Sequence, residues 1–251
     1  IPAADRPVYT GELAKDPMSF EHPVLNWDDY AYHKGCQTQG VDWDENINYE
    51  RMRNYRVERT REQLKEFNCG SILSLNEWNT RYITGTWTPH WTTPSSGLRY
   101  SLFCGNAKGP IVYENAEIGY HVRQMCPWLD KVKVAITGTG WSSIIIGRDA
   151  QQQQRDKFCQ QIAADLKSYG MDKEPLAMDF SDPGIQAGLE AQGITVNLTG
   201  QELMFHARKM KNRDEVECLR VVSAIGDAQF QAFADNLRPG VRENELVGIM
   251  H

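Results

Sequence analysis

Apolar and polar positions along the chain follow two periods that alternate repeatedly. From Tyr49 to Phe67, apolar residues at Tyr49, Met52, Leu64 and Phe67 stand among six arginines and lysines. That pattern predicts a helix with a narrow buried edge and a charged outer face. Asn68-Cys69-Gly70 ends it, and the run Ser71 to Leu75 reads as a short buried strand. Asn76 or Asn79 caps a short helix leading to Tyr82. After a loop from Thr86 to Gly97, strands at 100–104 and 111–113 flank Gly105-Asn106-Ala107-Lys108-Gly109, the spacing of a hairpin. Helices over 117–125, 151–169, 183–192 and 200–209 then interleave with strands over 132–136, 176–180 and 195–198. Such alternation predicts a mixed or parallel sheet covered by helices.

The longest helical pattern comes late. Val216, Leu219, Val222, Gly226, Phe230, Phe233 and Leu237 recur in steps of three and four, which places one apolar stripe along one side of a helix. Asn212 caps its start, and Glu215 stands three residues on, the arrangement of a reciprocal capping box. Asp214 and Glu215 also suit the positive end of the helix dipole. Pro239-Gly240 stops the pattern, and a second helix begins at about Arg242.

Several of these residues carry a resemblance. Lys211, Asp214-Glu215, Leu219-Arg220, the small and apolar run Ala224 to Ala228, Pro239-Gly240 and Glu243-Asn244-Glu245-Leu246 are similar to the opening of the catalytic domain in the creatinase, prolidase and aminopeptidase P superfamily. The catalytic half of that superfamily is the pita-bread fold. Asn79-Thr80-Arg81-Tyr82-Ile83-Thr84-Gly85 resembles a segment of the same superfamily's amino-terminal domain. The resemblance implies an α/β chain with a mixed-sheet creatinase-type amino-terminal domain, followed by the truncated start of a pita-bread α+β domain. The divisions expected are an arm over 1–48, the amino-terminal domain over 49–210, and the catalytic start over 211–251.

The resemblance also implies what this stretch lacks. In the superfamily two aspartates, a histidine and two glutamates bind the metals, all downstream of the first catalytic-domain helix. Manganese, iron or zinc ions are therefore expected only in a catalytic half beyond His251, with no metal ligand and no catalytic residue in this chain. The function implied is that of a metal-dependent hydrolase cleaving a C–N bond, of Xaa-Pro peptidase or creatinase type. This half would supply dimer contacts and part of the substrate pocket, and alone would be inactive. A dimethylsulfoniopropionate lyase of the same superfamily and a non-catalytic binding or dimerisation module are the alternatives. The expected partners are a second copy in a homodimer and a small-molecule or short-peptide substrate.

Composition narrows the partners further. With 27 basic and 33 acidic residues among 251, net charge is −6, so nothing favours a polyanion and nucleic acid is not expected. The longest aliphatic run, Ile144 to Ile146, is far short of a membrane span. Six cysteines at 36, 69, 104, 126, 159 and 218 show no CxxC spacing, which favours reduced thiols and a cytoplasmic setting. Asp42, Asp44 and Asn46 look like part of a calcium loop, but Ile47 and Arg53 stand where glycine and glutamate are required. Thr137-Gly138-Thr139-Gly140 lacks the third glycine of a dinucleotide fingerprint.

One stretch reads as something other than scaffold. Residues 82–99, YITGTWTPHWTTPSSGLR, place two tryptophans, a histidine and two prolines in a loop with no periodic face to bury, and large aromatics on loops favour recognition. In the superfamily this region reaches the mouth of the active site, commonly that of the neighbouring subunit. Trp87, His90 and Trp91 are the expected substrate-binding residues. His121 and His206, on predicted helices, are expected to be structural, and Trp27, Tyr30, Tyr32 and Trp43 are expected to anchor the arm.

Overall fold

The computed structural model describes residues 47–86, 99–138 and 146–250. The chain divides into two units, one formed by Asn48–Val216 and a second that takes in Glu217–His251. Trp87, His90, Trp91 and the aromatic residues of the arm lie outside the described residues.

The first unit begins with α1 (Tyr49–Glu66), capped by the Asn48 side chain, which accepts from the Arg51 N–H at 2.8 Å. Asn68, with φ of 53°, turns the chain out of the helix into β1 (Ser71–Ser74). Next come α2 (Glu77–Thr84), the hairpin β2 (Tyr100–Cys104) and β3 (Ile111–Glu114), α3 (Ala116–Met125) and β4 (Lys131–Val134). The unit continues with α4 (Arg148–Ser168), β5 (Leu176–Met178), α5 (Pro183–Ala191), β6 (Val196–Asn197) and α6 (Gly200–Lys209). α7 (Arg213–Asn236) and α8 (Glu243–Met250) follow.

Among the described residues, six strands form one sheet in the order β4-β3-β2-β1-β5-β6. Only β2 runs against its neighbours; β1 pairs with β5, β5 with β6, and β3 with β4 in parallel. This is the mixed sheet that the alternating pattern predicts, and its two faces are both covered. Leu73, Tyr100, Leu102, Leu176 and Met178 pack with Phe158, Ile162 and Leu166 of α4 and Ile185 and Leu189 of α5. Ile72, Phe103 and Ala177 pack on the other face with Leu64 of α1, Tyr82 and Ile83 of α2, and Leu203, Met204 and Ala207 of α6. Strand residues buried on both sides explain why these segments read as continuous apolar runs rather than alternating ones.

Some element ends move from where pattern alone puts them, for local reasons. β4 runs from Lys131 to Val134 rather than 132 to 136, because the Ile136 N–H leaves the ladder and donates to the Tyr100 hydroxyl at 3.1 Å. β5 stops at Met178 because Asp179 turns into a polar cluster described below. The outer face of α1 is also less solvated than its charges predict. Arg61 donates to the carbonyl oxygens of Gly105 and Ala107, and the Arg53 guanidinium lies over the Trp128 ring.

α1 also holds the first turn of α7. Arg51 donates twice to Asp214, at 2.8 and 2.7 Å, and the Asn48 N–H donates a third bond at 3.0 Å. Arg56 donates to Glu215 at 2.8 Å, while Asn212 and Glu215 close the predicted capping box at 2.9 and 3.1 Å. Beyond this first turn the apolar stripe of α7 is largely exposed. Leu219 is 52 % exposed, Val222 65 % and Phe230 69 %, so the stripe is apolar by sequence and open among the described residues.

Two expectations follow from this packing. A methyl group on Gly200 would stand 2.5 Å from the Met178 carbonyl carbon and 2.7 Å from the Asp179 nitrogen, backbone atoms that have no side-chain freedom to yield. Gly200→Ala should therefore cost roughly 1–3 kcal/mol in urea unfolding; an unchanged midpoint would refute this close approach. The hydrogen-bonded Arg51 guanidinium holds the Asp214 carboxyl below its ordinary value of 3.8. Asp214 thus binds fewer protons folded than unfolded, and its contribution is present above about pH 4 and lost as pH falls through its folded value. Asp214→Asn should lower the unfolding midpoint at pH 7, with the gap to wild type shrinking toward pH 2; a gap independent of pH contradicts the assignment.

Candidate functional site: the frame around residues 87–98

The segment resembling the superfamily's amino-terminal domain lies in α2 and its C-cap, and nearly all of it is buried. Asn76 caps the helix by accepting from the N–H groups of Trp78 and Asn79. Asn79 is therefore not the cap. Its amide Nδ2 donates to Asp179 at 2.9 Å and to Gln201 at 2.8 Å, and its Oδ1 accepts from Arg208 at 2.7 Å. Both donors and the acceptor are used, a set that neither aspartate nor leucine can supply. Thr80 donates to the Ser74 carbonyl oxygen, and the Tyr82 hydroxyl donates to that of Ala207.

Asp179 is the centre of this cluster. Burial pushes its carboxyl up from the ordinary range, and four donors oppose that shift: the Ser74 hydroxyl at 2.6 Å, the Asn79 amide, and the backbone N–H groups of Leu75 and Asn76. The cluster sits where the chain leaves β1 toward β2 and leaves β5 toward β6. In open α/β sheets such a divergence at the carboxyl ends of the strands is the usual ligand crevice. Here it is filled, with Asn79 fully buried and Asp179 8 % exposed.

The two ends of the 87–98 segment are held separately. Gly85 ends α2 with φ of 68°, the left-handed conformation that glycine adopts without penalty, and a Cβ there would meet Arg53 Cδ at 2.8 Å. Trp128 Nε1 donates to the Thr84 carbonyl oxygen at 2.7 Å, and the Arg53 guanidinium carbon lies 3.8 Å from the Trp128 ring centroid. On the return side, Arg99 pairs with Glu114, their side chains 5 % and 2 % exposed. Burial raises the Glu114 carboxyl, against the pull of Arg99 and of the Asn115 N–H. Burial likewise pushes the Cys126 thiol up to about 11, while the nearby Arg99 and Arg53 charges pull it down. A cavity of about 110 Å³ lies beside Trp128, lined in part by Arg53, Val57, Ile83 and Pro110.

Of the residues singled out in the sequence, Trp87, His90 and Trp91 lie outside the described residues, so what is seen is their frame. His206 packs its ring against Phe67 at 5.8 Å, and exposed His121 contacts Tyr120. Arg53, Arg99, Glu114 and Trp128 were not legible as a group, since they come from four separate stretches with no shared spacing. Among the described residues no three His, Cys, Asp or Glu side chains converge in a way that holds a metal ion. The described residues therefore do not fit a metal centre. No helix among them is long and apolar enough to cross a membrane.

No family model matches the chain, and no curated protein matches it in sequence. Solved structures match it in fold. An Xaa-Pro dipeptidase from Bacillus anthracis superposes with a TM-score of 0.55 at 17% identity, covering 81% of this chain and 48% of that one. The dipeptidase PepE from Mycobacterium ulcerans gives 0.54 at 14% identity over 80% of this chain and 48% of its own. The prolidase from Pyrococcus furiosus gives 0.53 at 14% identity, over 77% and 50%. The chain thus has the prolidase-type fold, and it spans about half the length of the structures it resembles.

Proposed function

We propose that this chain is the amino-terminal part of a metal-dependent hydrolase that cleaves a C–N bond in Xaa-Pro peptides. Its role is to supply dimer contacts and one wall of the substrate pocket. The observation that carries this reading is the fold: a six-stranded mixed sheet superposable on Xaa-Pro dipeptidases over 81% of this chain but 48% of the dipeptidase. The open stripe of α7, with Leu219, Val222 and Phe230 exposed, supports it, because a following catalytic half would cover that face. Each large side chain is worth roughly 1.5–3 kcal/mol when fully buried.

In this reading the metal ions belong to residues beyond His251, where they would activate water or polarise the scissile amide. This chain contributes recognition. By composition, Trp87, His90 and Trp91 are the residues this reading assigns to substrate recognition, two apolar rings and one side chain able to donate or accept. A substrate carrying a cationic group would gain roughly 0.5–2 kcal/mol from each tryptophan ring it contacts. In this reading the 87–98 segment serves the neighbouring subunit of a homodimer in the cytoplasm.

The test uses the protein extended past His251. It should hydrolyse an Xaa-Pro dipeptide with bound manganese, iron or zinc, whereas residues 1–251 alone should retain no stoichiometric metal after dialysis and show no activity. Trp87→Ala and His90→Ala should each raise KM or lower kcat by roughly 2- to 30-fold with metal content unchanged. Mixing either variant with a metal-site variant should restore part of the activity. Full activity in both loop variants would end the assignment of Trp87, His90 and Trp91, and tight metal binding by residues 1–251 would end the division of labour.

A further inference from the structure

The cavity beside Trp128 shares no residue with the Asp179 cluster, and all of its lining residues are described. Its walls come from α1, the end of α2, the turn between β2 and β3, and Trp128 after α3. Ile83 and Pro110 are buried and Val57 is half-buried, and with the Trp128 ring they make an apolar interior. Gly109 brings no side chain to fill it, and its backbone is pressed so close that a Cβ would meet the Trp128 carbonyl oxygen at 3.0 Å. The volume of about 110 Å³ suits a ligand of a few heavy atoms, since one water takes about 30 Å³ of the liquid.

Polar groups edge this interior. Arg53 and Lys108 stand against a single carboxylate, that of Glu58, which already accepts from Arg61. The formal balance is therefore positive. Lys108 and Asn54 are exposed, and neither makes a hydrogen bond or ion pair among the described residues. Such a lining selects a molecule with one anionic and one apolar end. Inorganic phosphate would lose water from oxygens that Val57, Ile83 and Pro110 cannot bond, and a purely apolar molecule would gain nothing from Lys108 or Asn54. A carboxylate keeps its oxygens at the edge, where an ammonium and an amide can donate to them, while its carbons enter.

We propose that this cavity is a binding site for a free short-chain aliphatic monocarboxylate, with the carboxylate at Lys108 and Asn54 and the hydrocarbon end against Val57, Ile83, Pro110 and Trp128. The site lies on this chain and does not rest on the hydrolase reading, so either can fail without the other.

The test titrates the 251-residue chain with acetate, propionate, butyrate and hexanoate. Binding is read by calorimetry and by the indole N–H resonance of Trp128, assigned with Trp128→Phe. Each methylene that enters should tighten binding by about two- to fourfold from acetate to butyrate, and hexanoate should bind no tighter than butyrate. Butyramide, of the same shape without the charge, should bind about two- to fivefold more weakly than butyrate, and inorganic phosphate should leave the Trp128 resonance in place. Lys108→Gln, a substitution at an exposed position, should weaken butyrate about two- to fivefold with the unfolding midpoint unchanged. Four results would each overturn the proposal: no saturable shift of Trp128 with butyrate, an affinity independent of chain length, butyramide binding as tightly as butyrate, or Lys108→Gln binding butyrate as wild type does.

Discussion

A buried carboxylate is tolerable only when its oxygens are satisfied, and Asp179 imposes that condition on four elements at once. It stands at the end of β5, beside the end of β1, where its oxygens receive the Ser74 hydroxyl, two backbone N–H groups and the Asn79 amide. Meeting that demand fixes where β1 ends and where α2 starts. Asn79 then passes the constraint outward, because its remaining donor and acceptor bind Gln201 and Arg208 of α6. The Gly200 backbone approaches Met178 and Asp179 too closely for any side chain, which sets the height of α6 over the sheet. With α2 placed in this way, its C-cap at Gly85 is placed too.

The same arrangement makes the residues of α2 from Asn79 to Thr84 scaffold. Asn79, Thr80, Tyr82, Ile83 and Thr84 are all buried; the polar side-chain atoms of Asn79, Thr80 and Tyr82 bind other parts of the fold, while the Thr84 hydroxyl donates to the Thr80 carbonyl oxygen within α2. A polar network that is fully satisfied specifies one arrangement of the core, and that is its contribution here. Five arginines of α1 act similarly at the edge of the unit, gripping Asp214, Glu215, the hairpin carbonyls, the His206 carbonyl and Trp128.

Much of this architecture was legible because local rules and packing agree. The capping box of Asn212 and Glu215, the hairpin of β2 and β3, and the alternation of helices with strands all follow from short-range chemistry, and all are present. The pairings between distant residues were not legible. Arg51 with Asp214, Arg99 with Glu114, and Asn79 with Asp179 join positions whose spacing carries no period, so each reads in the sequence as a solvated charge or a cap. The stripe on α7 was read correctly as apolar, yet burial depends on a partner surface that the stripe itself does not encode. The tryptophans and histidine of 87–91 stand out by composition and lie outside the described residues, while the side chains at the two ends of that segment come from four separate stretches.

The account depends most directly on the coupling between Asn79 and Asp179, measured by a double-mutant cycle in urea unfolding with Asn79→Ala, Asp179→Ala and the pair. A hydrogen bond to a charged group predicts a coupling of about 1.5–3 kcal/mol, with both single variants destabilised. Additivity within about 0.5 kcal/mol would mean that the two residues act independently, and that the placement of α2 does not come from this cluster.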